Sequence, residues 1–117
     1  MPLKITLKPG ERIFIGGAVL RNGPSRSQFF VENQTPLLRE KEILLEEEVD
    51  SVAKEIYFLV QAMYMEGTIS KKYAQTFSKL IGQFIRAAPS SAQTAVHVSA
   101  FVLSGQLYNA LKACRKL

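Results

Sequence analysis

The sequence predicts an α+β protein: a small N-terminal antiparallel β-unit of four to five short strands, followed by a C-terminal bundle of about four helices. The prediction rests on the change in period of the apolar residues, from two in the first third of the chain to three or four thereafter, and on the glycine, proline and serine signals that punctuate it. Leu3, Ile5 and Leu7 alternate with Lys4, Thr6 and Lys8, the pattern of a strand with one buried and one solvated face. Pro9-Gly10 supplies a turn, and Ile13 and Ile15 resume the alternation, so the first two strands are expected to form a hairpin. Gly16-Gly17 marks a bulge or a second tight turn before a strand at Ala18 to Arg21. Asn22-Gly23 leads a loop into a strand at Gln28 to Glu32, and Asn33 to Pro36 separates it from a short extended run at Leu37 to Arg39. A sheet of this size has too little core to stand alone, so residues 1–44 and 45–117 are expected to form together one compact domain.

The helical part begins with Val49, Val52, Ile56, Leu59, Val60 and Met63 as one apolar stripe, giving a helix over roughly Glu46 to Met65 that Gly67 ends. Glu46, Glu47, Glu48 and Asp50 fall in its opening turns, where the helix dipole favours carboxylates. Ser70 caps a second helix that buries Tyr73, Phe77, Leu80, Ile81, Phe84 and Ile85 and stops before Pro89. Ser90 or Ser91 caps a third, running to about Ser104 with Gly105 as its stop. The last places Leu107, Leu111, Cys114 and Leu117 on one side.

Composition removes several classes of function. With 117 residues, 47% of them hydrophobic and 21% charged, the chain is an ordinary folded domain and too short for a two-domain enzyme. One cysteine permits no internal disulfide, and a single histidine cannot complete a Cys/His zinc cluster. No signal peptide or membrane-length apolar run is present, so a cytoplasmic address without membrane association is expected. Catalysis is not expected either: His97 stands in an apolar helical stretch without triad partners, Cys114 reads as an inert core thiol, and Gly16-Gly17 matches neither phosphate-loop spacing. The glutamates at 46 to 48 point in different directions on a helix and make no metal site; no cofactor and no metal are implied.

Charge is distributed unevenly within a net +5. Residues 1–31 hold five bases and one acid, residues 32–66 hold nine acids and three bases, and residues 67–117 hold seven bases and no acid. This asymmetry suits an anionic partner, and equally the packing of basic ends on an acidic middle. The polar face of the sheet carries the specific signal. Lys4, Thr6 and Lys8 share one face, and the same parity places Arg12 beside Phe14, while Phe30 points away from Phe29 and Val31. Cations for phosphates with rings for bases are the equipment of single-strand binding, so Lys4, Lys8, Arg12, Phe14, Arg21, Arg26 and Phe30 form the expected RNA-binding set. The competing reading makes Phe14 and Phe30 an apolar patch on which the helices dock. In the helical part, Tyr57, Tyr64, Tyr73 and Tyr108, with Met63 and Met65, offer adaptable surface for a protein partner.

The wording of the sequence adds a resemblance. Residues Met1-Pro2-Leu3-Lys4-Ile5-Thr6-Leu7-Lys8-Pro9-Gly10-Glu11-Arg12, then Ile15-Gly16-Gly17-Ala18-Val19, Glu32-Asn33-Gln34, Pro36-Leu37-Leu38-Arg39-Glu40-Lys41, Ile56-Tyr57-Phe58 and the closing Tyr108-Asn109-Ala110-Leu111-Lys112-Ala113-Cys114-Arg115-Lys116-Leu117 resemble the FlbT family of bacterial flagellin regulators. The resemblance implies a post-transcriptional repressor that associates with the 5′ untranslated leader of flagellin mRNA and promotes its degradation, with a FlaF-like flagellar protein as a functional partner. The alternative expectation is a non-catalytic adaptor whose helices bind FlaF or a flagellin-related protein, with indirect effects on RNA. Homo-oligomerisation is left open.

Overall fold

The computed structural model describes residues 2–117; Met1, the first residue of the expected β-unit, lies outside them. Five strands are followed by four helices: β1 (Leu3–Leu7), β2 (Arg12–Ile15), β3 (Ala18–Arg21), β4 (Ser27–Val31), β5 (Leu37–Arg39), α1 (Val52–Glu66), α2 (Lys71–Ala87), α3 (Ala92–Leu103) and α4 (Leu107–Cys114). The chain divides into two compact units, one ending at Ile43 and one running from Leu44 to Leu117.

In the first unit the strands form two antiparallel sheets, β1-β4 and β3-β2-β5. The expected β1–β2 hairpin is therefore corrected. Pro9-Gly10 does turn the chain, with Gly10 at φ +72° and the Glu11 amide donating to the Lys8 carbonyl at 3.1 Å, but β2 then joins the other sheet. The Asn22 side chain caps the end of β1 instead, its Nδ2 donating to the carbonyls of Leu7 (3.2 Å) and Lys8 (2.8 Å). The true hairpin is β2–β3. Gly16 and Gly17 both have positive φ, 53° and 94°, as a two-residue primed turn demands, and close the Ile15–Ala18 pair.

The apolar parity of the strands decides the core. Ile5, Leu7 and Ile13 are buried together, with Ile15, Phe29, Val31 and Leu37 packed against them, so each sheet turns its apolar face to the other. Side chains of this size contribute about 1.5–3 kcal/mol each when buried. The opposite face of β2 is covered as well: Phe14 and its cross-strand partner Leu38 are 5% and 0% exposed.

In the second unit, α1 starts six residues later than the sequence implies. Glu46–Glu48 form a separate 3-10 turn that ends at Val49 in extended conformation, and the cap is Ser51, whose hydroxyl accepts from the Lys54 amide at 3.2 Å. The acids are thus not in the first turn of α1, which holds Glu55 alone. Gly67, at φ +71°, ends the helix by donating to the carbonyls of Met63 and Tyr64. Ser70 caps α2 as expected, accepting from the Tyr73 amide at 3.1 Å. Ile56, Val60, Met63, Phe77, Leu80, Phe84, Val98, Leu111 and Cys114 fill the interior of this unit. Gln61 is buried too, and its amide pairs with the backbone of Leu44 in both directions, at 2.8 and 3.0 Å, which fastens the segment before α1 to that helix. Among the described residues no helix is long and apolar enough to cross a membrane.

Candidate nucleic-acid interface

The β1–β4 ladder sets the register of the candidate surface. Lys4 stands opposite Phe30 and Thr6 opposite Gln28, so the four share the face turned away from the core. Phe30 is 61% exposed. Lys4 and Lys8 are exposed at one side of an open depression of about 980 Å³, whose wall also includes Thr6, Glu11, Arg26, Arg39, Glu40 and Lys41. Five cations and two carboxylates line it.

The carboxylates are already engaged with the scaffold. Glu11 accepts from the Lys8 amide at 2.9 Å and lies 3.7 Å from the Arg39 guanidinium; the Lys8 amide hydrogen bond, with Arg39 and the Lys8 charge adding to it, holds the Glu11 carboxyl below its ordinary value. Glu40 accepts from the Arg12 amide at 3.3 Å. Arg39 is the matching fixed cation, since it also donates to the Thr6 carbonyl at 2.7 Å and so ties β5 to β1. Among the described residues Lys4, Lys8, Arg26 and Lys41 form no salt bridge; Lys8 shares its charge with Glu11, and the charge of Lys4, Arg26 and Lys41 is available to an anionic ligand. Arg26 is held at the rim by its loop. Asn22, whose Nδ2 also reaches the Ser25 carbonyl at 3.0 Å and whose Oδ1 accepts from the Gly23 amide and the Ser27 hydroxyl, fixes the segment between β3 and β4.

The structure divides the expected RNA-binding residues. Lys4, Lys8 and Arg26 line one depression, and Phe30 adjoins it through Lys4. Arg12 and Arg21 face each other across the β2–β3 ladder, both exposed, a like-charge pair that is unfavourable without an anion nearby. The expectation of an open ring at Phe14 is corrected: β2 is the central strand of its sheet and both of its faces are covered, so this ring is not offered to a base. Sequence reasoning missed Arg39 and Lys41, which it assigned to the acidic middle of the chain. The extended run Leu37-Leu38-Arg39 was the signal, because pairing of β5 with β2 (Ile13 opposite Arg39) is what carries both cations to the depression.

No three His, Cys, Asp or Glu side chains cluster among the described residues, His97 is exposed, and burial pushes the Cys114 thiol up to about 12. In the helical unit Met63 is fully buried, Tyr64 packs on Tyr108 with ring centroids 5.7 Å apart, and the Lys112 ammonium stands 5.9 Å above the Tyr108 ring. Met63 is therefore not offered to a partner, Tyr64 is half-buried against the exposed Tyr108, and the large apolar side chains that α3 leaves in solvent are Val96 (57%) and Leu103 (88%).

The family model for the flagellar protein FlbT matches residues 3–117. The chain belongs to the FlbT family. It is 41% identical over 117 residues to the probable flagellum biosynthesis repressor protein FlbT of Rhodopseudomonas palustris, covering all of this chain and 92% of that protein. Against the flagellum biosynthesis repressor protein FlbT of Caulobacter vibrioides it is 35% identical over 119 residues, with 100% and 84% covered. A FlbT protein of Bradyrhizobium diazoefficiens is 36% identical over 118 residues, with 100% and 80% covered. No solved structure matches the chain.

Proposed function

We propose that this FlbT chain is a non-catalytic regulator of flagellum biosynthesis that represses flagellin expression after transcription, by binding the 5′ untranslated region of flagellin mRNA in the cytoplasm and promoting degradation of the message. The relatives named repressors support the regulatory part. The observation that carries the RNA part is the depression at β1: it is lined by four cations that form no salt bridge among the described residues, and an exposed ring stands opposite Lys4. Phosphates take the cations and an unpaired base takes the face of Phe30. Degradation follows in this reading from recruitment or unfolding of the leader, with the cut made by another protein.

Titration of the full chain with labelled flagellin leader RNA over a range of salt tests it. Four phosphates met by Lys4, Lys8, Arg26 and Lys41 contribute about −2.8 to the slope of log K against log salt on a single strand, and Lys4→Gln with Lys8→Gln removes about 1.4 of that contribution. A slope that the double substitution leaves unchanged overturns the mechanism.

The exposed Val96 and Leu103, seven residues apart on α3, favour a second reading in which the helical unit docks a FlaF-like flagellar protein and acts on RNA only through it. Replacing both with Ser then abolishes the complex while Lys4 and Lys8 are dispensable. An undiminished complex with the Ser variant removes this reading.

A further inference from the structure

The helical unit carries a cationic feature outside the depression. Residues 67–117 hold seven bases and no acid. Three of them, Lys72, Lys79 and Arg86, recur every seven residues along α2 and so fall within about 40° of one another around the helix. They lie on the side away from the buried Phe77, Leu80, Ile81 and Phe84, all three are exposed, and none forms a salt bridge among the described residues. Gln75, Thr76 and Gln83 occupy the positions beside them. Arg86 reaches back along the helix toward Gly82, where a Cβ would sit 3.5 Å from its Nη1. The ridge from Lys72 to Arg86 is about 21 Å long.

Folding of α2 alone does not favour this arrangement. The first turn holds Lys71 and Lys72 and no acid, at the helix end whose partial positive charge favours carboxylates. An anion lying along the ridge offsets both that interaction and the mutual repulsion. The anion's class follows from what the ridge lacks. Among the described residues none of the exposed large apolar side chains is on α2, whereas protein interfaces need a desolvated apolar anchor at their centre. Evenly spaced cations with amides between them fit a phosphodiester backbone.

We propose that the Lys72–Lys79–Arg86 ridge of α2 is a second phosphate-binding surface for single-stranded RNA, distinct from the depression at β1. This rests on the RNA reading above and assigns the helical unit its own share of the contact. The full chain is titrated with labelled oligouridine between about 50 and 200 mM salt. Lys72→Gln, Lys79→Gln and Arg86→Gln together lower the slope of log K against log salt by about 2, Lys79→Gln alone by about 0.7, and the charge-keeping set Lys72→Arg, Lys79→Arg, Arg86→Lys leaves it at the wild-type value. A wild-type slope in the Gln variants, with their helical circular dichroism intact, overturns the proposal and leaves the ridge to an acidic protein. The Lys4→Gln/Lys8→Gln variant run alongside separates the failures: if it alone loses slope, the depression binds RNA and the ridge does not, and if the wild-type chain fails to bind, both readings fall.

Discussion

Two phenylalanines of matching sequence pattern have opposite fates, and the difference is a matter of single side chains. Phe14 sits on a central strand and is 5% exposed, whereas Phe30 sits on a two-stranded sheet and is 61% exposed. Phe14→Ala is therefore expected to destabilise the fold by about 3–5 kcal/mol, through lost transfer energy and the cavity left behind. Phe30→Ala is expected to leave the denaturation midpoint nearly unchanged and to weaken RNA binding by about 1–3 kcal/mol. Chemical denaturation and RNA titration of both variants check this, and the converse pattern contradicts the assignment of Phe30. Glu11 gives a pH dependence of defined sign. Its folded carboxyl is held below the ordinary value of 4.5, so the stabilisation it brings is present above that value and is lost as pH falls through the lower folded one. The gap in thermal midpoint between wild type and Glu11→Gln should therefore shrink on acidification below about pH 4.5. A gap that stays constant there means that Glu11 is not the linked group.

Among the elements, the β2–β3 hairpin depends on its turn more than on its strands. All four residues of β3 are exposed, so little burial holds it and the two glycines do much of the positioning. A Cβ at Gly16 would meet the Thr35 hydroxyl at 2.8 Å in a backbone already at φ +53°, while one at Gly17 meets nothing within 4 Å. Left-handed backbone costs a non-glycine residue about 1–2 kcal/mol. Gly17→Ala is expected to lose about that much, and Gly16→Ala distinctly more because Thr35 must move. Equal losses in urea denaturation contradict the steric part of this account. The same attention to local chemistry explains why α2 begins where Ser70 accepts from the Tyr73 amide and why α1 waits for Ser51: a hydroxyl that satisfies an early amide selects the start of a helix more reliably than a run of glutamates.

At the scale of the molecule, the chain keeps its only thiol out of reach. Cys114 lies among Ala110, Leu111 and the other buried residues of the helical unit, and burial pushes its thiol up to about 12, so at neutral pH a thiolate forms only when that unit opens. Alkylation of the native protein is expected to be slow and to accelerate greatly in denaturant. Equal rates in the two conditions contradict the packing of α4. The uneven charge of the chain also acquires a spatial meaning. Three bases from residues 1–31 and two from the acidic middle meet at one depression, and three from residues 67–117 align on α2.

Much of this was legible in residue order because the governing interactions are local. Alternation at Leu3 to Leu7 reports one solvated face, Gly67 and Ser70 report helix ends through hydrogen bonds to the next turn, and Lys4, Lys8 and Phe30 follow from parity alone. By itself the sequence determined the fold class, the family and the polar face of β1. Tertiary structure alone decided that β1 pairs with β4 and not with β2, that Phe14 is covered, and that Arg39 and Lys41 join the depression. Those outcomes depend on contacts between segments distant in sequence, whose energies compete with one another and are not fixed by the order of neighbouring residues.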